Sequence, residues 1–270
     1  MKGVLAVASP GVFLAARFAA ATLALALVRL ARREPRSPGL WRDGGILGAL
    51  VLAGLVLQTV GLRTTTPSRS GFLTGLSVLI VPFVARFAYG RAVRGASWAG
   101  VALAVAGLAL LTRVFGGELD ASARLGDALT AACAVAFALQ IVLTSEWSPR
   151  HPLAPFVLAQ VAVGLAGTLL LLPLGTPRVD PGGLPRLAAT ALFTGVPMTA
   201  GAFFVMAWAQ RRTTAVRAAL IFSLEPVSAA LFSHLHGGEP LAAADWAGGA
   251  LVVLGVIVGE VGGALGSRTA

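Results

Sequence analysis

The sequence predicts an all-α, polytopic transmembrane helical bundle, and three observations predict it. Of 270 residues, 57% are hydrophobic and 12% charged, with a mean hydropathy of +0.85; a soluble domain carries roughly twice that charged fraction, too much to dispense with on a surface facing water. The apolar residues come in nine runs of about 20, the length that crosses a hydrocarbon core. Part of the chain also repeats itself at a fixed offset, a mark of membrane carriers.

The nine runs lie near 8–30, 43–62, 69–87, 95–113, 126–145, 153–174, 186–208, 215–234 and 243–263. The first carries Arg17 inside it and ends in Arg29, Arg32 and Arg33. The second holds Gln58, the third opens at Arg69, and the fourth follows the Arg86–Arg94 connection, which holds three arginines and Gly90. The fifth contains Cys133 and Gln140, and the sixth Gln160. The seventh is apolar enough that residues 187–210 have no charge, and Trp208 ends it where aromatic belts form. The eighth opens at Arg217 and carries Glu225 and Pro226 at mid-run. In the ninth, Gly255, Gly259 and Gly263 stand four apart, a close-packing face suited to a homodimer contact.

Orientation follows from the basic residues. With loops taken alternately, one side receives Arg29, Arg32, Arg33, Arg36, Arg42, Arg86, Arg91, Arg94, Arg150, Arg211, Arg212, Arg217 and Arg268; the other receives Lys2, Arg63, Arg69, Arg113, Arg124, Arg178 and Arg186. The richer side is cytoplasmic, which places the C-terminus inside; the bias to Arg, Ala, Gly and Pro over Lys, Asn and Ile fits a GC-rich bacterial gene, so a multi-pass protein of a bacterial inner membrane is expected. The net charge of +10 is therefore read as topology and lipid contact, not as nucleic-acid binding. One cysteine and three scattered histidines exclude an internal disulfide and a cysteine metal cage. No signal peptide, Walker loop, hydrolase elbow or paired catalytic carboxylates occur, so neither an enzyme nor a cofactor is expected.

From Thr65 to Gly107 the chain repeats without gaps 148 residues later, with 13 of 43 pairs identical. Thr65 and Thr66 match Thr213 and Thr214, Arg69 matches Arg217, Trp98 matches Trp246, and Gly107 matches Gly255. Arg69 opens the third helix and Arg217 the eighth. The two copies are an odd number of helices apart and enter the membrane from opposite sides. An inverted repeat places a binding site near the midplane and allows one half to rock against the other.

These residues also resemble a known family. Thr64-Thr-Thr-Pro-Ser-Arg-Ser-Gly-Phe-Leu-Thr-Gly-Leu with Val81-Pro82, and Arg212-Thr-Thr-Ala-Val-Arg-Ala-Ala-Leu-Ile-Phe-Ser-Leu-Glu-Pro-Val with Gly238-Glu239 and Trp246-x-Gly248, are similar to the two half-signatures of EamA-type transporters in the drug/metabolite transporter superfamily. Ser9-Pro10, Phe13 and Arg17-Phe18 resemble the start of that family's second helix. The resemblance implies two inverted repeats of five helices with the first helix missing here, through a late gene start or a true truncation. Residues 1–114 would be the first repeat and 115–270 the second.

Glu225 is the foremost candidate for chemistry, because a carboxylate at membrane depth costs roughly 2.5–3.5 kcal/mol on insertion scales and normally faces a cavity or the bundle interior. It is read either as a proton carrier or as a neutral, hydrogen-bonded group fixing the helix where Pro226 frees a carbonyl. Its repeat partner Ser77 forms a polar stripe with Ser70 and Thr74, beside a Gly71/Gly75 pair. Arg17 either reaches the interface or binds an anion; Gln58 and Gln140 are interhelical glue or ligands. Arg69, Arg217, Pro82, Pro226, Trp98, Trp246, Gly107 and Gly255 are repeat-signature residues with structural roles. The function expected is secondary export of small organic metabolites or drugs across the lipid bilayer by alternating access, driven by a proton or other ion gradient or by the substrate's own gradient. An importer on the same fold is the alternative, and a non-transporting scaffold or degenerate paralogue the reading from another class.

Overall fold

The computed structural model describes residues 7–35, 37–112, 121–237 and 241–265. Lys2, Arg36, Arg113, Gly238, Glu239 and Arg268 lie outside the described residues, as do the surroundings of His236 and Gly263. Among the described residues every regular element is helical, and one isolated antiparallel bridge joins Ala8 to Val179. The helices are α1 (Pro10–Arg32), α2 (Leu40–Gly61), α3 (Pro67–Gly75), α4 (Ser77–Tyr89), α5 (Gly95–Leu111), α6 (Ala121–Trp147), α7 (Leu153–Leu171), α8 (Leu184–Gly195), α9 (Ala202–Gln210), α10 (Ala215–Phe222), α11 (Leu224–Gly237) and α12 (Ala243–Leu265). Among the described residues eight spans are long and apolar enough to cross a membrane, and α5, with 17 residues, is a shorter apolar helix.

Three spans that the sequence predicts as continuous are broken, each at a specific place. Between α8 and α9, Pro197 has no N–H to offer the preceding turn. The turn widens into a π-helix over Val196–Gly201, where the Ala202 N–H reaches back to the Pro197 carbonyl. Between α10 and α11, Pro226 likewise withholds the donor that the Phe222 carbonyl would use; Ser223 marks the break, its Oγ donating to the Leu220 carbonyl at 2.6 Å. Between α3 and α4 the break falls at Leu76, directly after Gly75, whose lack of a side chain weakens helix there. The backbone is the same at both repeat-related breaks. The Leu76 N–H is shared between the carbonyls of Phe72 and Leu73 at 3.1 and 3.2 Å, and that of Ser223 between Ala219 and Leu220 at the same two distances.

The repeated Thr-x-x-Arg is a helix start. Thr66 Oγ1 accepts from the Arg69 N–H and Thr214 Oγ1 from the Arg217 N–H, both at 3.3 Å. The cap residues share a backbone conformation, φ −82° and ψ 152° against φ −81° and ψ 155°. Threonine recurs there because its hydroxyl satisfies one of the amide donors that a helix N-terminus leaves free.

Close contacts group the chain into two units: Met1–Leu52 with Leu143–Arg212, and Ala53–Val142 with Thr213–Ala270. The borders fall inside α2 and α6, so each unit draws on both halves of the sequence. In the first unit glycines let backbones approach. A Cβ on Gly48 of α2 would lie 2.3 Å from the Gln160 carbonyl of α7, and one on Gly195 of α8 would lie 2.4 Å from the Arg17 carbonyl of α1.

In the second unit Val78, Val81, Val101, Leu108, Leu220 and Val252 form one buried core. Its most extensive pairing is α5 with α12. Gly100 faces Gly255, and Gly107 faces Gly248; a Cβ on Gly100 or Gly107 would stand 2.5 Å from the facing carbonyl oxygen. Since Gly100 and Gly107 are the repeat partners of Gly248 and Gly255, the two copies meet antiparallel, each glycine against the other's counterpart, as inversion about a two-fold axis requires. Gly255 and Gly259 are thus occupied inside the chain, by α5 and by Leu220 of α10, rather than forming a free face for a dimer.

Filling this contact should destabilise the fold. Gly107→Val is expected to cost about 1–3 kcal/mol or more by overpacking, read as a fall of several degrees in apparent Tm in detergent. Gly95→Ala, where a Cβ would meet nothing within 4 Å, should leave the Tm in place.

Candidate functional site

The first unit holds a cation inside a span. Arg17 is the eighth residue of α1, and its Nε donates to Thr199 Oγ1 at 2.7 Å. Thr199, 2% exposed, sits in the π-helix, and its own hydroxyl donates to the Thr194 carbonyl at 2.9 Å, five residues back. The widened turn that Pro197 imposes therefore sets the Thr199 side chain, and the close approach of Gly195 brings α1 within its reach. Elsewhere in this unit Gln160 is 2% exposed, with neither amide atom hydrogen bonded among the described residues.

The second unit brings together several predicted polar residues. Gln58 Nε2 donates to Thr74 Oγ1 at 3.0 Å, and Cys133 is buried in α6. Ser70 is buried with no partner for its hydroxyl among the described residues, and Gln140 is buried in α6. The break at Leu76 divides the predicted stripe, leaving Ser70 and Thr74 on α3 while the half-buried Ser77 opens α4. Of the two glycines beside it, Gly75 is the tight one: a Cβ there would lie 2.9 Å from Leu108, against 4.0 Å from Thr112 for Gly71.

Glu225 is the second residue of α11 and is exposed. It lies ten residues beyond Ala215, about 15 Å along the span. The first turn of a helix suits a carboxylate electrostatically and tolerates the proline that follows. At that depth an exposed carboxylate facing hydrocarbon would carry the insertion cost, so its exposed side suits water or a polar ligand.

Other signature residues hold span ends. A Cβ on Gly61 would lie 2.8 Å from the Gly126 carbonyl. This contact carries α6 alongside the start of α3, where Arg69 pairs with Asp127 through two N–H groups, and Thr65 Oγ1 donates to the same carboxylate at 2.6 Å. Arg217 meets Glu260 more loosely, at 3.7 Å. Trp98 stands edge-on to Phe83, and Trp246 to His234. Pro82 is buried within α4. At one end of the first unit His151 lies between Ser37 Oγ (2.8 Å) and Asp43 Oδ2 (2.9 Å), stacked on Phe156, while Arg211 donates to its carbonyl. Burial lowers the pKa of the Arg211 guanidinium, Arg212 adding to the effect and Glu34 opposing it.

The sequence reading missed Thr199, Asp127 and the Asp43–His151 pair. Thr199 lies 182 residues from Arg17 in a charge-free run, where Pro197 was the available signal. Asp127 could have been found as the acid nearest the start of its run.

Comparison with known proteins bears on all of this. The model of the EamA-like transporter family matches residues 1–113 and 124–259. An uncharacterized transporter from Archaeoglobus fulgidus is 28% identical over 220 residues, covering 81% of this chain and 68% of the relative. A crystal structure superposes with a TM-score of 0.79 at 22% identity, covering 93% of this chain and 88% of the other; at that identity the likeness concerns the fold.

The two arginine pairs should differ in worth. Asp127 and Arg69 are 17% exposed at their side chains, Glu260 and Arg217 37% and 30%. Asp127→Ala is expected to lower stability by about 1.5–3 kcal/mol, the range for charge-assisted hydrogen bonds. Glu260→Ala should cost about 0–1 kcal/mol. Thermal unfolding of both variants checks the order, and equal losses would refute it.

Proposed function

Since the chain belongs to the EamA-like transporter family, we propose that it is a secondary carrier that exports small organic molecules across the cell membrane by alternating access. The observation that carries this reading is the antiparallel meeting of the two repeat copies at α5 and α12. Inverted repeats of this kind provide two equivalent arrangements about a central site, one open to each side. Polar groups inside the spans support it: Arg17 on Thr199, Gln58 on Thr74, and Glu225 at a helix break. Such groups are expensive in a bilayer and tend to mark ion and substrate paths.

In this reading the C-terminus is cytoplasmic, residues 1–114 and 115–270 are the two repeats, and Glu225 carries the proton that drives export. A carboxylate near the midplane that alternates between protonated and ionised forms can couple solute movement to a proton gradient without ATP. The helix break at Ser223 gives it a polar backbone terminus in place of a continuous helix wall.

Proteoliposomes containing the purified chain test both parts. Imposing a pH gradient should accelerate solute efflux, and Glu225→Gln should abolish that acceleration while leaving exchange of labelled solute down its own gradient. Undiminished proton-driven flux in Glu225→Gln would reject Glu225 as the coupling group. A protein that moves no solute in either assay would be a scaffold, and one that only accumulates solute inward an importer.

A further inference from the structure

We infer that Arg17 is the anchor for an oxyanion on the transported solute, and hence that the substrates are small organic anions bearing a carboxylate or phosphate. The inference rests on the carrier reading above and adds the substrate class to it.

An arginine inside an apolar helix has three ordinary explanations, and the geometry separates them. The first is snorkelling, in which the side chain runs to the interface and leaves its charge in water. Arg17 does the reverse. Its Nε is held by Thr199, the sixteenth of the 27 residues from Leu184 to Gln210. At 1.5 Å per residue Thr199 stands about 22 Å from one end of that span and about 16 Å from the other. The guanidinium is drawn to the middle of the bilayer.

The second explanation is a salt bridge within the unit. The acids of the first unit are Glu34, Asp43, Glu146 and Asp180. Each lies in a connection or within four residues of a helix end. No carboxylate pairs with Arg17 among the described residues, and α1, α7, α8 and α9 contain no acidic residue at all. The third explanation is satisfaction by neutral groups. Thr199 uses one of the five N–H donors that a guanidinium presents, which leaves the fork of terminal nitrogens for another acceptor.

What remains is a fixed, half-buried cation at mid-span whose bidentate edge has no partner among the described residues. That edge matches the two oxygens of a carboxylate or phosphate. Thr199 supplies the orientation: its hydroxyl accepts from Nε and donates to the Thr194 carbonyl, so the guanidinium plane is set by the π-turn. π-turns recur at functional positions because they re-aim one side chain within an otherwise regular helix.

The test uses full-length protein in proteoliposomes loaded with an equimolar mixture of benzoate, glycerol 3-phosphate, glucose and tetraethylammonium, with efflux of each followed by mass spectrometry. The expected result is selective efflux of benzoate, glycerol 3-phosphate or both. Which of the two leaves identifies the carboxylate or the phosphate source. Arg17→Gln should reduce that efflux about tenfold or more, the scale of a lost charge-assisted pair, while Arg17→Lys retains part of it. Thr199→Val should raise KM with kcat little changed. Thermal unfolding of each variant shows that it is folded. Efflux of glucose or tetraethylammonium that survives Arg17→Gln, or undiminished efflux of benzoate or glycerol 3-phosphate in that variant, would overturn the inference and leave the carrier reading standing. An equal loss of every solute in Arg17→Gln would overturn it too, making Arg17 structural. No efflux of any solute by the unaltered protein would reject the carrier reading and this inference with it.

Discussion

Where α5 crosses α12, four glycines let two backbones touch. Gly100 and Gly107 of one copy meet Gly255 and Gly248 of the other, with no room for a Cβ on either side. Without a hydrophobic drive between helices in lipid, association depends on such close van der Waals approach. The contact also fixes direction. Because each glycine meets the counterpart of its neighbour, the helices can pair only antiparallel, and the segments leading into them are inverted with them. The shared core of Val101, Leu108, Leu220 and Val252 closes around this crossing.

The helix breaks are the second constraint. A continuous helix satisfies all its own backbone groups and offers a ligand little beyond side chains. At Leu76 and Ser223 one N–H is shared between two carbonyls, and at Val196–Gly201 the ladder shifts by a residue. These departures sit beside Ser77, Glu225 and Thr199, polar residues near the middle of their spans. Irregular backbone at that depth is tolerated where it is buried in protein or lines a water-filled path. In the first unit the π-turn presents Thr199 to Arg17; in the second the break at Ser223 puts Glu225 in the first turn of α11.

Much of this was legible in the sequence, for physical reasons. The apolar helices could be read because lipid demands about 20 apolar residues in a row, and the repeat could be read because paired Arg and Trp are rare in such a chain. The capping role of Thr66 and Thr214 was implicit in their recurrence three residues before Arg69 and Arg217. The breaks were less legible. Pro226 announced one, but Pro197 was hidden in a run whose hydropathy is uniform, and the break after Gly75 has no proline at all. Tertiary pairing was out of reach. Arg17 and Thr199 are 182 residues apart, and Arg69 and Asp127 are 58 apart. Gly255 and Gly259 carried a packing signal that fits a dimer as well as a neighbouring helix, and only the fold tells which helix fills it.

The central claim is that the two copies of the repeat enter the membrane from opposite sides. Single cysteines at Thr64 and Thr213, in a background with Cys133→Ala, would report it in intact cells through a membrane-impermeant maleimide. The account predicts that Thr64→Cys is labelled from outside and Thr213→Cys only after the membrane is opened. Labelling of both from the same side would contradict the inversion on which the fold and the proposed function rest.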